Sequence, residues 1–427
     1  VRMKTNEMKK NILEDGMDER FLDIYVDATK LEYHKRRYVQ AIELFEAHYG
    51  AGEAEIFSAP GRSEVGGNHT DHQHGEVLAA SINLDTIGIV RQTEDNQIRI
   101  ISDDYDEVVI SLDNIDCKEE EKETTTALIK GVVAGFMERG YKVGGFRAYA
   151  TSDVLIGAGL SSSAAFETLI GTILSGLYND MSISAIEIAI VGQYAENVYF
   201  GKPCGLMDQM ACSVGNLVYI DFKDPKKPEV EKLDFNMSEH GYSLCITDTK
   251  GSHADLTYEY AAVPQEMKRV ANHFGKEVLR EVEVVDVIKA IPELREKYGD
   301  RSVLRALHFF TENERVQKEV NALKWGDMNL FLDNVKESGD SSFKYLQNVY
   351  SSNDVENQNI SVALMMSDVL LKTEGVSRVH GGGFAGTIQA FVKNDFVVPY
   401  KMQMDSIYGE GSCKDLRIRK YGGIKVM

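Results

Sequence analysis

Positive charge is scarce in this chain. Its 427 residues carry 47 Lys and Arg against 67 Asp and Glu, a formal net charge of −20. Such a chain repels nucleic acid on average, and no basic stripe interleaved with aromatics relieves that. Long apolar runs are missing too, so no helical membrane span is expected. The N-terminus is charged and lacks the apolar region of a signal peptide, which points to a cytoplasmic location. The five cysteines (Cys117, Cys204, Cys212, Cys245 and Cys413) are scattered and odd in number. They predict neither a disulfide framework nor a thiolate zinc site. No internal repeat or low-complexity segment stands out. No Lys follows the glycines of the main Gly/Ser cluster, and the spacing of the dinucleotide fingerprint is absent, so neither a Walker loop nor a Rossmann site is indicated.

What is present is an ordinary globular balance, 43% hydrophobic and 27% charged, in a chain long enough for two lobes. The segment that organises it is GAGLSSSAAFE, Gly157 to Glu167. A strand-like run, Phe146 to Ile156, leads into it. An apolar period of i, i+3, i+4 and i+7 follows, through Ala164, Ala165, Leu169, Ile170, Ile173, Leu174 and Leu177, and predicts a helix. Glycines allow close backbone approach, first-turn N–H groups point outward, and the helix dipole adds positive potential. Serine hydroxyls add donors and a possible metal ligand. This is a shape for phosphate. In an acidic chain such a site needs locally placed cations, which draws attention to nearby Arg and Lys and to Mg²⁺.

Three further stretches carry polar chemistry. Gly61 to Gly75 packs Arg62, Glu64, Asn68, His69, Thr70, Asp71, His72 and His74 into a glycine-broken loop. Converging carboxylate, amide and imidazole groups suit a polyhydroxylated ligand such as a sugar, and the histidines with Asp71 leave a metal site as the alternative. Ala195 to Gln209, AENVYFGKPCGLMDQ, offers Glu196 and Asp208, one acid for Mg²⁺ and one for a hydroxyl. Gly381 to Gly383 gives a second close backbone approach. The grouped, hairpin-like strands predict a two-layer α+β architecture in each lobe. Residues 1–40 are expected as a peripheral extension, 41–222 as the first lobe and 223–427 as the second.

Together these segments resemble the galactokinase family of the GHMP small-molecule kinases. APGRSEVGGNHTDHQHG is similar to its sugar signature, GAGLSSSAAFE to its phosphate loop, FGKPCGLMDQ to its catalytic segment and HGGGFAGTIQAF to its late glycine motif. The resemblance spans about residues 40 to 395. It implies two lobes of mixed or antiparallel sheet packed on helices, with the active site between them. It implies ATP-dependent phosphorylation of galactose at C1, with ATP and Mg²⁺ as cofactors, in a monomer with no nucleic-acid or membrane partner. Asp208 matches the catalytic aspartate and Arg62 the arginine beside it. Asn68, His69, Asp71, Gly205 and Tyr260 fall on sugar-contact positions. Gly157, Gly159, Leu160, Ser161, Ser162, Ser163 and Ala164 match the nucleotide loop, with Ser162 and Glu196 as metal ligands. Two positions depart from the pattern. The family's C6-contacting glutamate is Asn68 here, and the asparagine near its arginine is Glu64. An amide at 68 would tolerate an altered C6 group, so N-acetylgalactosamine, galacturonate or arabinose is the alternative substrate. A non-catalytic sugar and ATP sensor is the alternative from another class.

Overall fold

The structure is a computed structural model that describes residues 2–103, 105–155, 159–202, 204–252 and 256–427. Among the described residues two sheets are flanked by helices. The first sheet holds β1 (Met3–Lys4), β2 (Glu53–Gly66), β3 (Glu76–Gln92), β4 (Gln97–Ser102), β5 (Val108–Ser111), β6 (Phe146–Ser152), β7 (Leu217–Asp221) and β8 (Glu229–Leu233). The second holds β9 (Tyr242–Asp248), β10 (Gly375–Val379), β11 (Thr387–Lys393) and β12 (Cys413–Leu416), in the order β10-β11-β9-β12 and all antiparallel. The final strand, β13 (Ile424–Lys425), returns to pair with β2.

The spine of the first sheet is β3. It is one long strand because partners line both of its edges. β2 pairs along one side from Glu55 to Gly66. On the other side β7 takes Glu76–Ala80 and β6 takes Thr86–Gln92. β8 pairs with β7, so this sheet runs on past residue 222. One apolar cluster joins the halves, with Val65, Leu78 and Ala164 packed with Leu244, Val316 and Phe391. Burial of such surface, at roughly 25 cal/mol per Å², is what holds the lobes as a unit.

Helices α1 (Thr5–Leu13), α2 (Asp18–Tyr25) and α3 (Leu31–Tyr49) form the extension and the start of the first lobe. The extension is packed against the first sheet. Met8, Ile12, Phe21, Ile24, Tyr38 and Phe45 pack on Ile56, Ile87 and Ile89 of the sheet. A buried charge fastens the same layer. Asp85 in β3 receives Arg37 of α3 at 2.6 Å and Arg419 from near the C-terminus at 2.9 Å. The Tyr25 and Ser58 hydroxyls also donate to it.

Burial alone would raise the Asp85 carboxyl, but the two arginines outweigh it and hold it at about 2. Glu312, on the helix Asp300–Trp325, is likewise held at about 2, burial being overcome by Arg315 and its neighbours. Both folded values lie below the unfolded ones near 4. The stability they give is therefore complete above about pH 4 and lost as pH falls towards 2, at roughly 2–3 kcal/mol each. Urea melts from pH 5 to pH 2 should show the unfolding free energy dropping steeply below pH 4. A flat profile would mean that neither group is ionised in the fold.

Candidate active site

Two bulges in β2 set the geometry. The register with β3 shifts between Pro60 and Arg62 and again between Glu64 and Gly66. Bulges of this kind re-aim side chains. Here they turn Arg62 towards the helix α7 (Met207–Val214). The Arg62 guanidinium grips Asp208 with two parallel bonds, Nε to Oδ1 at 2.8 Å and Nη2 to Oδ2 at 3.0 Å. Its remaining Nη1 donates to the carbonyl of Gly159, and its backbone N–H donates to the carbonyl of Leu160 at 3.0 Å. One residue thus joins the sugar signature, the catalytic segment and the phosphate loop. Burial pushes the Asp208 carboxyl up, but the charge and hydrogen bonds of Arg62, the Ser161 hydroxyl and Lys202 bring it below its usual value. Asp208 is ionised at neutral pH and stays about one third exposed, open to a ligand.

Ser161 precedes the helix α5 (Ser162–Tyr178) with φ 58° and ψ 61°, a left-handed conformation rare for serine. Its hydroxyl goes to Asp208 rather than capping α5. The first-turn N–H groups are left without a side-chain cap, which is what an anion requires. Leu160 and Ala164 are buried beneath the loop. Gly157 lies outside the described residues.

After the helix α6 (Ala185–Tyr194), residues Ala195–Phe200 widen into a π-helical turn, a feature frequent at functional sites. It buries Glu196 behind the phosphate loop. The hydroxyl facing Glu196 is that of Ser163, at 3.4 Å. Among the described residues no hydrogen bond joins Ser162 to Glu196, so the serine beside this acid is the third of the run and not the expected second. Helix geometry explains the change: successive residues point about 100° apart. The Lys202 ammonium lies 3.7 Å from Glu196. A hydroxyl and a carboxylate that already attract a cation fit Mg²⁺, which binds through few protein oxygens plus phosphate. Among the described residues no group of three or more His, Cys, Asp or Glu is placed to hold a metal, and His69, Asp71, His72 and His74 do not converge as one.

The sugar-signature residues divide into two groups. His69 and Asp71 lie near Gly205 and the late glycine turn that Tyr260 covers. His69 Nε2 lies 3.0 Å from the Gly382 carbonyl. A side chain at Gly205 would put its Cβ 2.8 Å from Asp71 Oδ2, so glycine is what lets that carboxylate approach. Burial, with the charge of Asp208 adding, raises the Asp71 carboxyl, and burial lowers the His69 imidazole. The Tyr260 hydroxyl donates to the Gly383 carbonyl at 2.9 Å, and its ring covers Gly382, where a Cβ would come within 2.9 Å.

Asn68 belongs to the other group. It is fully buried, and its amide is saturated. Nδ2 donates to Glu64 at 2.8 Å and to the Gly381 carbonyl at 2.7 Å, while Oδ1 accepts from Ser342 at 3.0 Å and Asn348 at 2.9 Å. An amide has two donors and two acceptor sites, and all four are used. Asn68 is a strut between the lobes, not a free sugar ligand. Glu64 pairs in turn with Arg378 at 3.0 Å.

Sequence reasoning missed the groups that support this strut. Glu312 Oε1 accepts from the backbone N–H of Gly67 and Asn68, both at 3.2 Å, and His308 Nε2 meets the Asn68 carbonyl at 2.9 Å. The tract KESGDSS, Lys336 to Ser342, lends three serines to the same network. Ser338 reaches Glu312, Ser341 reaches His308 and Ser342 reaches Asn68. No local pattern announces them, because the sugar-loop partners of Glu312, His308 and Ser342 lie 240 or more residues away.

Comparison with known proteins agrees with this geometry. Residues 43–92 match the galactokinase galactose-binding signature, and residues 127–216 match the GHMP kinases N terminal domain. The chain is 32% identical over 362 residues to a galactokinase of Actinobacillus pleuropneumoniae serotype 3, covering 84% of this chain and 90% of that one. It is 30% identical over 381 residues to a galactokinase of Streptomyces coelicolor, covering 88% and 94%. In fold it resembles the Lactococcus lactis galactokinase solved with galactose, with a TM-score of 0.76, 23% identity and coverage of 91% and 100%. It also resembles the Methanococcus jannaschii mevalonate kinase, with a TM-score of 0.60, 14% identity and coverage of 86% and 99%. The chain thus aligns with curated galactokinases over most of its length and most of theirs. The chain belongs to the galactokinase family of the GHMP kinases.

Proposed function

We propose that this protein transfers the γ-phosphoryl group of ATP to the anomeric hydroxyl of galactose, giving galactose 1-phosphate and ADP. The observation that carries the reading is the bidentate Arg62–Asp208 pair held 2.8–3.0 Å apart at the mouth of the phosphate loop. Phosphoryl transfer asks for an acceptor oxygen in line with the γ-phosphorus and for charge neutralisation, with little covalent work for the protein. Asp208 accepts the hydrogen bond of the sugar O1–H and aims its lone pair at phosphorus. The O1–P bond forms, the bond to the β-phosphate oxygen breaks, and the O1 proton passes to Asp208. Arg62 keeps Asp208 ionised before transfer through charge-assisted hydrogen bonds. His69, Asp71, Gly205 and Tyr260 line the sugar side. Gly159, Leu160, Ser161, Ser162, Ser163 and Ala164 would form the nucleotide loop and offer its N–H groups to the phosphates.

Glu196 and Ser163 would hold Mg²⁺, with Ser162 as the neighbouring hydroxyl. When bound, the ion would neutralise charge on the phosphates. The working lobes divide after β8 rather than at the expected residue 222, with β13 returning to the first lobe and residues 1–40 clamped to it. The protein acts as a monomer in the cytoplasm, where its five thiols stay reduced. Among the described residues no helix is long and apolar enough to cross a membrane.

The test is turnover of ATP and Mg²⁺ with a panel of hexoses, uronates, N-acetyl sugars and pentoses, the product read by phosphorus NMR. Galactose should give an anomeric phosphate as the preferred product. If galactose stays inert while another sugar turns over, the substrate assignment is wrong. If no sugar turns over, the chain is a sensor and not a kinase.

A further inference from the structure

Gln209 follows Asp208 in α7, about 100° further round the helix, and its side chain is buried in the protein. It is fully buried, and so is what it faces. Its amide nitrogen donates to Glu196 Oε2 at 2.7 Å and to Glu167 Oε2 at 3.1 Å. Glu167 comes from α5 and Glu196 from the π-turn, and both are at most 4% exposed. A single side-chain amide therefore bridges two buried acids from two different elements. Cys204 and the amide are the further neighbours of Glu196 Oε2, which leaves Oε1 to Ser163 and Lys202.

This arrangement is not the cheapest way to fill a core. Glu167 Oε1 and Gln209 Oε1 are buried with no hydrogen-bond partner. Two acids side by side repel, and orphaned polar oxygens cost stability. An unsatisfied buried group asks for a reason, and function is a common one. Here the reason is orientation. Both hydrogens of the amide are spent on holding one oxygen of each acid. The free oxygen of Glu196 is thereby fixed on the side of the phosphate loop.

We infer that Gln209 is the positioning residue of the cation site: it fixes Glu196 for a divalent ion and locks that site to the helix that carries Asp208. The inference rests on the kinase reading above. It adds a residue that touches neither sugar nor nucleotide. Partners that orient a metal-binding carboxylate are worth about 10–100-fold in metal affinity.

The experiment measures Mn²⁺ binding by electron paramagnetic resonance in the presence of ADP, and galactose binding by calorimetry, for the full chain. Gln209→Met keeps the volume and removes both donors. Gln209→Asn keeps an amide but is one carbon too short to reach both acids, and it serves if the Met variant does not fold. Either variant should bind Mn²⁺ about tenfold or more weakly and leave galactose affinity within twofold. Turnover should then need more Mg²⁺ and recover in part when it is supplied, so the loss is in the metal requirement. Metal affinity within twofold of the parent in a folded variant would overturn the inference. So would a parallel loss of galactose affinity, which would mark Gln209 as general packing. If the unaltered protein binds galactose and Mn²⁺–ADP, the kinase reading stands whatever the variants do. If it binds neither, that reading falls first.

Discussion

Asp208→Asn should lower kcat by about 10²–10⁴-fold, the range for removing a positioned acid–base group, while nucleotide affinity changes little. The amide is close to isosteric, so the shape of the site survives. What is lost is charge. Arg62 donates two bonds to the carboxylate and Ser161 a third, so all that donor capacity is arranged for an anion. An amide presents one oxygen and a nitrogen that itself donates, and the nitrogen must face either Arg62 or the sugar. In the first case the clamp breaks. In the second the O1 proton has no acceptor. The reading predicts that kcat falls much further than KM for galactose rises, because the interaction at O1 strengthens only as the proton moves. Single-turnover assays with excess enzyme, beside a fluorescent-nucleotide titration, separate the two. Near-normal turnover would remove Asp208 from the reaction.

Asn68→Glu should cost stability before it touches specificity, by about 3–5 kcal/mol, the penalty typical of an uncompensated buried charge. From the sequence alone, this substitution restores a family residue and should shift preference among sugars altered at C6. The structure gives it another consequence. A carboxylate at 68 would stand where Nδ2 now lies 2.8 Å from Glu64 and 2.7 Å from the Gly381 carbonyl. Two donors would be replaced by negative oxygens facing negative oxygens. Arg378 already serves Glu64 at 3.0 Å and cannot neutralise both. The reverse exchange tests the idea. Glu64→Asn in the same chain restores one carboxylate and one amide, and Arg378 stays in reach of either. The double variant should recover part of the loss, with a coupling of about 1–3 kcal/mol in a cycle of chemical melts. Purely additive losses would mean that the two side chains do not share a network.

Positions 64 and 68 also show how sequence and structure divide the information. The exchange of amide and carboxylate is visible as a departure from a pattern. Read one position at a time, it looks like two changes in a sugar site. Only the pairing across 2.8 Å shows a single change made twice, with the acid moved to where Arg378 can hold it. Ser163 is a similar case. The serine run marks the loop, but which hydroxyl meets Glu196 depends on where α5 starts and how it is rotated. His69 and Asp71 stand out in the sequence as polar loop residues, but only the fold sets Asp71 beside Gly205 and His69 on the glycine turn that Tyr260 covers. The N-terminal layer was underestimated for a related reason. Its charged surface is conspicuous, while the stripe that packs on Ile56, Ile87 and Ile89 gains meaning only beside the sheet it covers.

By itself the sequence determined the chemistry on offer. The Gly/Ser cluster before an apolar helix, the polar loop around Arg62, the acids of the Ala195–Gln209 segment and the late glycines are all local, and each reflects what a few neighbouring residues can do with their backbone. Tertiary structure decided which of these groups meet, which are spent on one another, and which remain free. Arg62 reaches Asp208 across 146 residues, and Asn68 reaches Asn348 across 280. Contacts of that span are set by the packing of whole elements, through a shared core and two bulges in one strand. No short window of the chain contains that information.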